Sequence, residues 1–501
     1  MTGHRDEWRP LLEDLERRRA AARAQGGPDK LQRVRRRGGL DARALVDGLL
    51  DAGTFVELGT LAGDADTPAD AFVAGSGRVD GRTVLVGAED VTVAGGSIGT
   101  AGATKRARIA ELARRERVPL VWVLQGAGHR ATNALRPHRP APNDLQAMVD
   151  LAGLVPTAVV VAGPSAGHGA LAAPLADHVV MVAGVGALFT GGPPLVKASL
   201  GEEVDKEALG GVDVHAVASG LVHEVAPDPL AALAAVRRWL SYLPSNAWEA
   251  PPVTTGPDTG ERLLDRILDV LPPNPRQPYD IHDVIDELVD AGSVLESQAR
   301  HGTSIVTAWA RLGGRPVAVV ANQPAVLAGA VDVAAAEKAA LFVERAAAFH
   351  LPLVQLADNP GVLAGSVSER AGILRAAARM FAVQHRAGVP KLHVTLRKAF
   401  GFGSSVMGQN AFGGQTLSLA LPGVVLGGIP AAVGGATAKA DAGTRAALVA
   451  NEAAGPWRLA SSVTYDEVVD PRELRNALLA GLRLARHEPA PVPVARTGYL
   501  P

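Results

Sequence analysis

Arg397-Lys-Ala-Phe-Gly-Phe-Gly-Ser-Ser405 is the stretch that decides the reading of this chain. It follows a largely apolar, β-branched run from Val389 to Leu396, which predicts a strand. Gly401 and Gly403 then let the main chain turn sharply and approach a ligand closely. A helix starting at such a turn leaves backbone N–H groups without acceptors, and they favour negative charge in front of them. A strand, a glycine turn and free amides make an oxyanion hole. The stretch has a twin in Gly163-Pro-Ser-Ala-Gly-His-Gly-Ala170, which follows the apolar run Ala158–Ala162. Placing Pro156 on Pro390 gives an offset of 234, which sets Gly167 on Gly401, His168 on Phe402 and Gly169 on Gly403.

The duplication extends outward from these twins. DARALVDGLLDAGTFVE, ending at Glu57, recurs as DIHDVIDELVDAGSVLE, ending at Glu296, an offset of 239. GRVDGRTVLVGAEDVTVAGGS recurs as ARLGGRPVAVVANQPAVLAGA at an offset of 233, which also sets Lys105 on Lys338, Pro119 on Pro352 and Gly128 on Gly361. A period of about 230 residues is far too long for a solenoid and means two homologous domains. The expected division is an N-terminal helical segment over 1–37, domains over 38–245 and 258–485, and a tail over 486–501, with the Pro- and Gly-rich stretch Ala247–Pro257 between the domains. Each unit reads as strands, a glycine-rich turn, an Ala-rich helix and an apolar strand, an α/β layering. In the first unit the helix is expected from about Ala103 to Arg117, followed by a strand from Pro119 to Leu124.

Composition narrows the chemistry. The 501 residues carry a net charge of −1, which gives no global pull towards nucleic acid or a membrane. There is no cysteine, so disulfides and thiolate chemistry are excluded. Leu417–Ala438 is uncharged but broken by Pro422 and Pro430, and reads as buried sheet and turns. The N-terminus lacks the apolar core of a secretory signal, so a cytoplasmic location is expected. Residues 8 to 37 read as a polar helix with a basic end. His, Asp and Glu fall in no metal-ligand spacing, so no metal is expected, and Lys105 and Lys338 read as exposed helix residues.

The motifs LLDAGTFVE, AGGSIG, GAGHR, GPSAGHGALAAPLADHVVMV, YLPSN, RQPYDIHDVID, ADNPGVLAG and LRKAFGFGSSVMG make the chain similar to the carboxyltransferase (β) subunits of biotin-dependent acyl-CoA carboxylases, over roughly residues 38–485. The resemblance implies two crotonase-like domains per chain. It also implies a homo-hexamer whose active sites lie between the N-domain of one subunit and the C-domain of another. The implied reaction moves a carboxylate from carboxybiotin to the α-carbon of an acyl-CoA, with no dedicated side-chain base. By resemblance the N-half hole is Gly167 and His168, facing the acyl thioester, and the C-half hole is Phe402 and Gly403, facing biotin. The implied CoA turns are Gly95-Gly96 and Gly126-Ala127-Gly128, Gly361 and Gly401 lie on the biotin side, and Ser405 lies beside the acyl chain. No Ala-Met-Lys-Met-like biotinylation site is present, so biotin must arrive on a biotin carboxylase or carrier partner. The chain differs from the usual family pattern at Gln125, His168, Phe402-Gly403 and Ser405.

Two other readings stay inside the family: a non-catalytic β-type subunit that assembles with an active paralogue, and decarboxylation of a malonyl-type CoA. A third comes from another class. Gly163-x-Ser165-x-Gly167 matches the nucleophile elbow of serine hydrolases, although the repeat partner of Ser165 is Ala399.

Overall fold

The computed structural model describes residues 4–135, 142–409 and 413–485. The chain forms two compact units that divide between Ser241 and Tyr242. The Pro- and Gly-rich stretch after Ala247 runs along the second unit, where Thr254 N–H donates to Gly314 O at 3.0 Å and Arg311 Nη1 donates to Pro252 O at 3.1 Å.

The first unit contains β1 (Val56–Glu57), β2 (Phe72–Val79), β3 (Arg82–Glu89), β4 (Leu120–Leu124), β5 (Thr157–Val161), β6 (Pro164–Ala166), β7 (His178–Val182), β8 (Ala187–Phe189) and β9 (Glu224–Ala226). Its main sheet has the order β1-β2-β3-β4-β5-β7-β9, while β6 and β8 form a small parallel sheet of their own. The β1–β3 end is antiparallel and the rest is parallel. β4 and β5 are buried along their whole length, because both their faces are covered. Trp122 lies at the centre of this core with Leu151, Val159 and Met181.

The second unit contains β10 (Leu295–Ser297), β11 (Ile305–Leu312), β12 (Arg315–Asn322), β13 (Leu353–Asn359), β14 (Lys391–Phe400), β15 (Leu417–Ala420), β16 (Val425–Gly427) and β17 (Glu467–Val468). Its sheet repeats the order as β10-β11-β12-β13-β14-β15-β17, with β16 beside the end of β14.

The repeat offsets reappear as hydrogen-bonded geometry. Isolated bridges join Ile98 to His129 and Val331 to Val362, residue for residue at the offset of 233. β6 pairs with β8 from Pro164 to Ala166, and the last three residues of β14, Lys398–Phe400, pair with β16, an offset of 234. Helices Ala42–Leu49 and Ile281–Leu288 each begin at an aspartate N-cap, where Asp41 accepts from Ala44 N–H and Asp280 from His282 N–H. Their buried faces follow helical spacing, Leu45, Val46 and Leu49 in one and Ile281, Val284, Ile285 and Leu288 in the other. The fold is α/β with two crotonase-like subdomains.

Three expectations need correction. The N-terminal polar helix is two helices, His4–Arg23 and Pro28–Arg36, because Gly26-Gly27-Pro28 interrupts it. Gly26 sits so close to Thr92 that an added Cβ would lie 2.1 Å from its carbonyl oxygen, and Gln25 Nε2 donates to buried Asp90 at 3.0 Å. Leu417–Ala438 is only partly buried sheet. It ends in the helix Ala431–Thr437 and exposes Ile429 and Val433. Lys105 and Lys338 are not exposed. Both are buried, and Lys338 Nζ donates to the carbonyls of Gln298 at 3.2 Å and His301 at 2.9 Å. Lys105 Nζ reaches Ala69 O and Phe72 O in the same way. The backbone carbonyls of the preceding turns supply what water would have supplied to each ammonium.

Candidate active site

In each unit the site is built from a glycine turn that follows a strand. Gly167 and Gly401 are both left-handed, at φ 58° and 52°, which only glycine adopts cheaply. Past Gly167, the amides of His168 and Gly169 have no acceptor among the described residues. Gly167 itself contributes position and not a donor, because its N–H is taken by Phe189 O at 2.9 Å. The free pair at this turn is therefore His168 and Gly169, one residue further along than Gly167 and His168. Past Gly401 the short helix Gly401–Val406 begins without a side-chain cap, so Phe402 and Gly403 have no intrahelical acceptor.

Neighbouring turns hold these amides in place. In the first unit Ile98 N–H donates to Gly128 O at 2.7 Å, and Ala127 N–H donates to Gly95 O at 3.0 Å. The turns Gly95-Gly96 and Gly126-Ala127-Gly128 are thus zipped together, with Gly95 and Ala127 at the surface. Arg130 clamps them further, with Nη1 on Asp70 Oδ1 at 2.6 Å and Nη2 on Ser97 O at 2.8 Å. An added Cβ on Gly128 would lie 2.3 Å from Ala166 O, so no side chain fits where this turn meets the Gly167 turn. In the second unit Asn359 does the equivalent work. Its Oδ1 accepts from Gly361 N–H at 3.1 Å, its Nδ2 donates to Asn322 Oδ1 at 3.1 Å, and an added Cβ on Gly403 would lie 2.2 Å from Oδ1. Gly361 and Gly403 therefore pack backbone against backbone. Ser405 is half-buried on the following helix, and its carbonyl accepts from Gln384 Nε2 at 3.1 Å. Phe402 is 47% exposed, with its ring 5.5 Å from that of Phe381.

Beneath the first turn lies a buried charge chain that sequence reasoning missed. Glu89 Oε2 accepts the Gln125 amide at 2.8 Å, and its Oε1 pairs with Arg106 Nη1 at 3.1 Å. Arg106 Nε donates to Asp144 Oδ2 at 2.6 Å, and Asp144 Oδ1 meets His168 Nε2 at 2.5 Å. Arg106 also lies 5.1 Å from the ring centroid of Phe72 and 5.4 Å from that of Trp122. Burial pushes the Glu89 carboxyl up, against Arg106 and the Gln125 and Gly126 amides. Burial also opposes ionisation of Asp144, but the His168 hydrogen bond and Arg106 outweigh it and hold that carboxyl down at about 2. Glu89 has a counterpart in the second unit. Its repeat partner Asn322 accepts the Asp358 amide at 3.0 Å, as Glu89 accepts that of Gln125.

Asp358, the partner of Gln125, carries the second unit's own buried cluster. Arg397 Nε donates to its Oδ2 at 2.7 Å, Tyr279 Oη donates to the same oxygen at 3.0 Å, and Lys398 Nζ lies 3.4 Å from Oδ1. Burial, with the Asp358 charge behind it, pushes the Tyr279 phenol well up.

Ser165 does not stand on an exposed elbow. It lies in β6, is fully buried, and its Oγ has no partner among the described residues. A nucleophile there could not meet a substrate, so the hydrolase reading fails. Among the described residues no cluster of three or more His, Asp or Glu could hold a metal ion, and no helix is long and apolar enough to cross a membrane.

Residues 33–499 match the Carboxyl transferase domain family. The carboxyltransferase subunit of propionyl-CoA carboxylase from Haloferax mediterranei is 33% identical, over 98% of this chain and 99% of its own. The alpha subunit of methylmalonyl-CoA decarboxylase from Veillonella parvula is 32% identical, over 94% and 95%. A crystal structure of the transcarboxylase 12S hexamer with methylmalonyl-coenzyme A bound superposes with a TM-score of 0.90 at 32% identity, covering 98% of this chain and 99% of that one. The chain belongs to the carboxyl transferase family, as an enzyme of the biotin-dependent acyl-CoA carboxylase and transcarboxylase class. Its activity is carboxyl transfer between carboxybiotin and an acyl-CoA.

Proposed function

We propose that the first unit binds the acyl-CoA and that the second receives biotin carried by a partner subunit. The reading rests on one observation: two equivalent turns, at Gly167 and Gly401, each followed by backbone donors that no side chain occupies. Amide N–H groups neither titrate nor reorganise, which suits an oxygen whose charge grows along the reaction. On the acyl-CoA side, His168 and Gly169 N–H donate to the thioester oxygen as the α-carbon gains carbanion character. The surface at Gly95-Gly96 and Gly126-Ala127-Gly128 is shaped for close approach of the CoA chain. The Gly96 and Ala127 N–H groups are already engaged, with Val93 O and Gly95 O, so these turns contribute shape more than donors. On the biotin side, Phe402 and Gly403 N–H suit the ureido oxygen, on which negative charge grows as the carboxylate leaves, and the side-chain-free turns at Gly361, Gly401 and Gly403 fit a flat ring. Carboxybiotin supplies the carboxylate when bound. Ser405, two residues beyond Gly403, lines the acyl chain and sets its length preference. We take the working assembly to be a cytoplasmic homo-hexamer with a biotin carboxylase or carrier partner, and the direction to be carboxylation. Similarity to a methylmalonyl-CoA decarboxylase subunit makes decarboxylation the second reading.

The deciding experiment reconstitutes the chain with a carboxylated biotin carrier and measures transfer to acetyl-, propionyl- and longer acyl-CoAs. Transfer to at least one is expected. Absence of transfer in both directions, with folded oligomeric protein, would leave the chain as a non-catalytic assembly subunit. Light scattering should give about six times the chain mass of 51.6 kDa.

A further inference from the structure

His168 does more at the first turn than supply a backbone amide. Asp144 is ionised at neutral pH, its carboxyl being held down at about 2, so its oxygens can only accept. The His168 Nε2 therefore carries the hydrogen in the 2.5 Å contact with Oδ1. Asp144 is only 2% exposed in its side chain and is fixed on its other oxygen by Arg106 Nε at 2.6 Å. Arg106 is itself 1% exposed and pinned by Glu89. The chain returns to the same turn from below, because an added Cβ on Gly169 would lie 2.9 Å from Glu89 Oε1. Both free amides, His168 and Gly169, thus rest on the two ends of one buried charge chain. Phe402, the repeat partner of His168, makes the analogous excursion in the second unit, but it packs on the Phe381 ring with no charge involved.

We propose that Asp144 is a positioning residue for the acyl-CoA half of the reaction: it grips the His168 imidazole and thereby fixes the direction of the His168 amide. The inference rests on the reading that these amides meet the thioester oxygen. The His168 ring is 33% exposed, and Asp144 holds at Nε2 a side chain that would otherwise swing freely. Its backbone donor is kept from rotating away before the oxygen arrives. A donor already aimed contributes most where charge develops, so the effect belongs in kcat more than in KM.

A double-mutant cycle with a separate ring measurement tests this. Asp144→Ala should lower kcat for transfer to the best acyl-CoA about tenfold or more, with KM changed less than about threefold. In the His168→Gly background, where there is no ring to grip, adding Asp144→Ala should cost less than about twofold. Exchange of the imidazole C2 hydrogen of His168, followed by mass spectrometry, should run at least about threefold faster in Asp144→Ala than in the parental chain, as the ring leaves a restrained site. Equal kcat losses in both backgrounds would overturn the proposal and make Asp144 a purely structural partner of Arg106. Unchanged C2 exchange would also overturn it. A parental chain that neither binds acyl-CoA nor transfers carboxylate would defeat the wider reading instead, and the exchange rate, which needs no turnover, would still decide whether Asp144 holds the ring.

Discussion

Gly403→Ala tests the second-unit turn most directly. An added Cβ at Gly403 would lie 2.2 Å from Asn359 Oδ1, 2.7 Å from Gly361 Cα and 2.9 Å from Gly361 C. The first of these is more than about 1 Å inside an ordinary contact. Asn359 cannot swing aside, because it is fully buried and its amide bridges Gly361 N–H and Asn322. The methyl group must therefore push the helix Gly401–Val406 off the Asn359 turn or break a buried hydrogen bond. Overpacking and a lost buried bond together put the cost at about 2–4 kcal/mol. For a unit of this size that lowers the melting temperature by roughly 4–16 °C. Displacing one oxyanion donor should reduce transfer by about a hundredfold or more. The assay is calorimetric melting together with the reconstituted transfer reaction. Gly388→Ala serves as the comparison, since an added Cβ there meets nothing within 4 Å and stability should move by no more than about 1 kcal/mol. A Gly403→Ala protein with parental melting temperature and parental transfer would refute the idea that Gly361 and Gly403 form one tightly packed surface.

Gly128→Asp forces a side chain into the 2.3 Å space before Ala166 O, and calorimetric titration should show loss of saturable CoA binding; unchanged affinity would refute the placement of the CoA turns. Ser405→Ile should shift the ratio of kcat/KM between short and longer acyl-CoAs by about tenfold, because a methylene or two in an apolar pocket is worth roughly 1–3 kcal/mol. Unaltered preference would remove Ser405 from the acyl wall. Burial holds the Lys105 and Lys338 ammonium groups down at about 8, against 10.5 for an ordinary lysine. Between those values the unfolded chain binds more protons than the folded one, so both lysines make stability rise with pH over that window. Urea denaturation of Lys338→Met from pH 7 to 10 should show a shallower rise than the parent, and parallel curves would contradict the buried charge. His282 has the opposite sign. Its hydrogen bond to Glu296 outweighs burial and raises it from 6.5 to about 9, so its contribution is full below 6.5 and fades as pH climbs through 9. His282→Asn should therefore destabilise the second unit at pH 6 and have little effect at pH 10.

Periodicity and internal repetition made most of the fold legible. Offsets of 233 and 234 survive in the bridges, in the β6–β8 and β14–β16 pairings and in the left-handed glycines, because a duplicated backbone needs the same hydrogen bonds twice. The turns were legible for the same reason, since glycine is required wherever backbones touch. Which amides stay free was not, because the acceptor that removes Gly167 N–H, Phe189 O, comes from a strand no local pattern links to it. The buried ions were also hidden. Arg106 has Ala339 as its repeat partner, so comparing halves could not mark it, and its partners Glu89 and Asp144 lie 17 and 38 residues away in the chain. Lys105 and Lys338 were misread as exposed because charge argues for solvent unless carbonyls close over it, and only the folded turns bring those carbonyls together.

The unequal way in which the halves hold position 89 and its partner 322 has a consequence for how each can change over generations. Asn322 is neutral, and its exchange for another small acceptor disturbs no counter-charge. Glu89 and Asp144 both pair with Arg106, so removing Arg106 leaves two buried carboxyl groups without their counter-charge, at a cost of about 3–5 kcal/mol. Position 322 can therefore change by itself. Position 106 cannot, because the two carboxyl groups that rest on it would have to change in step with it.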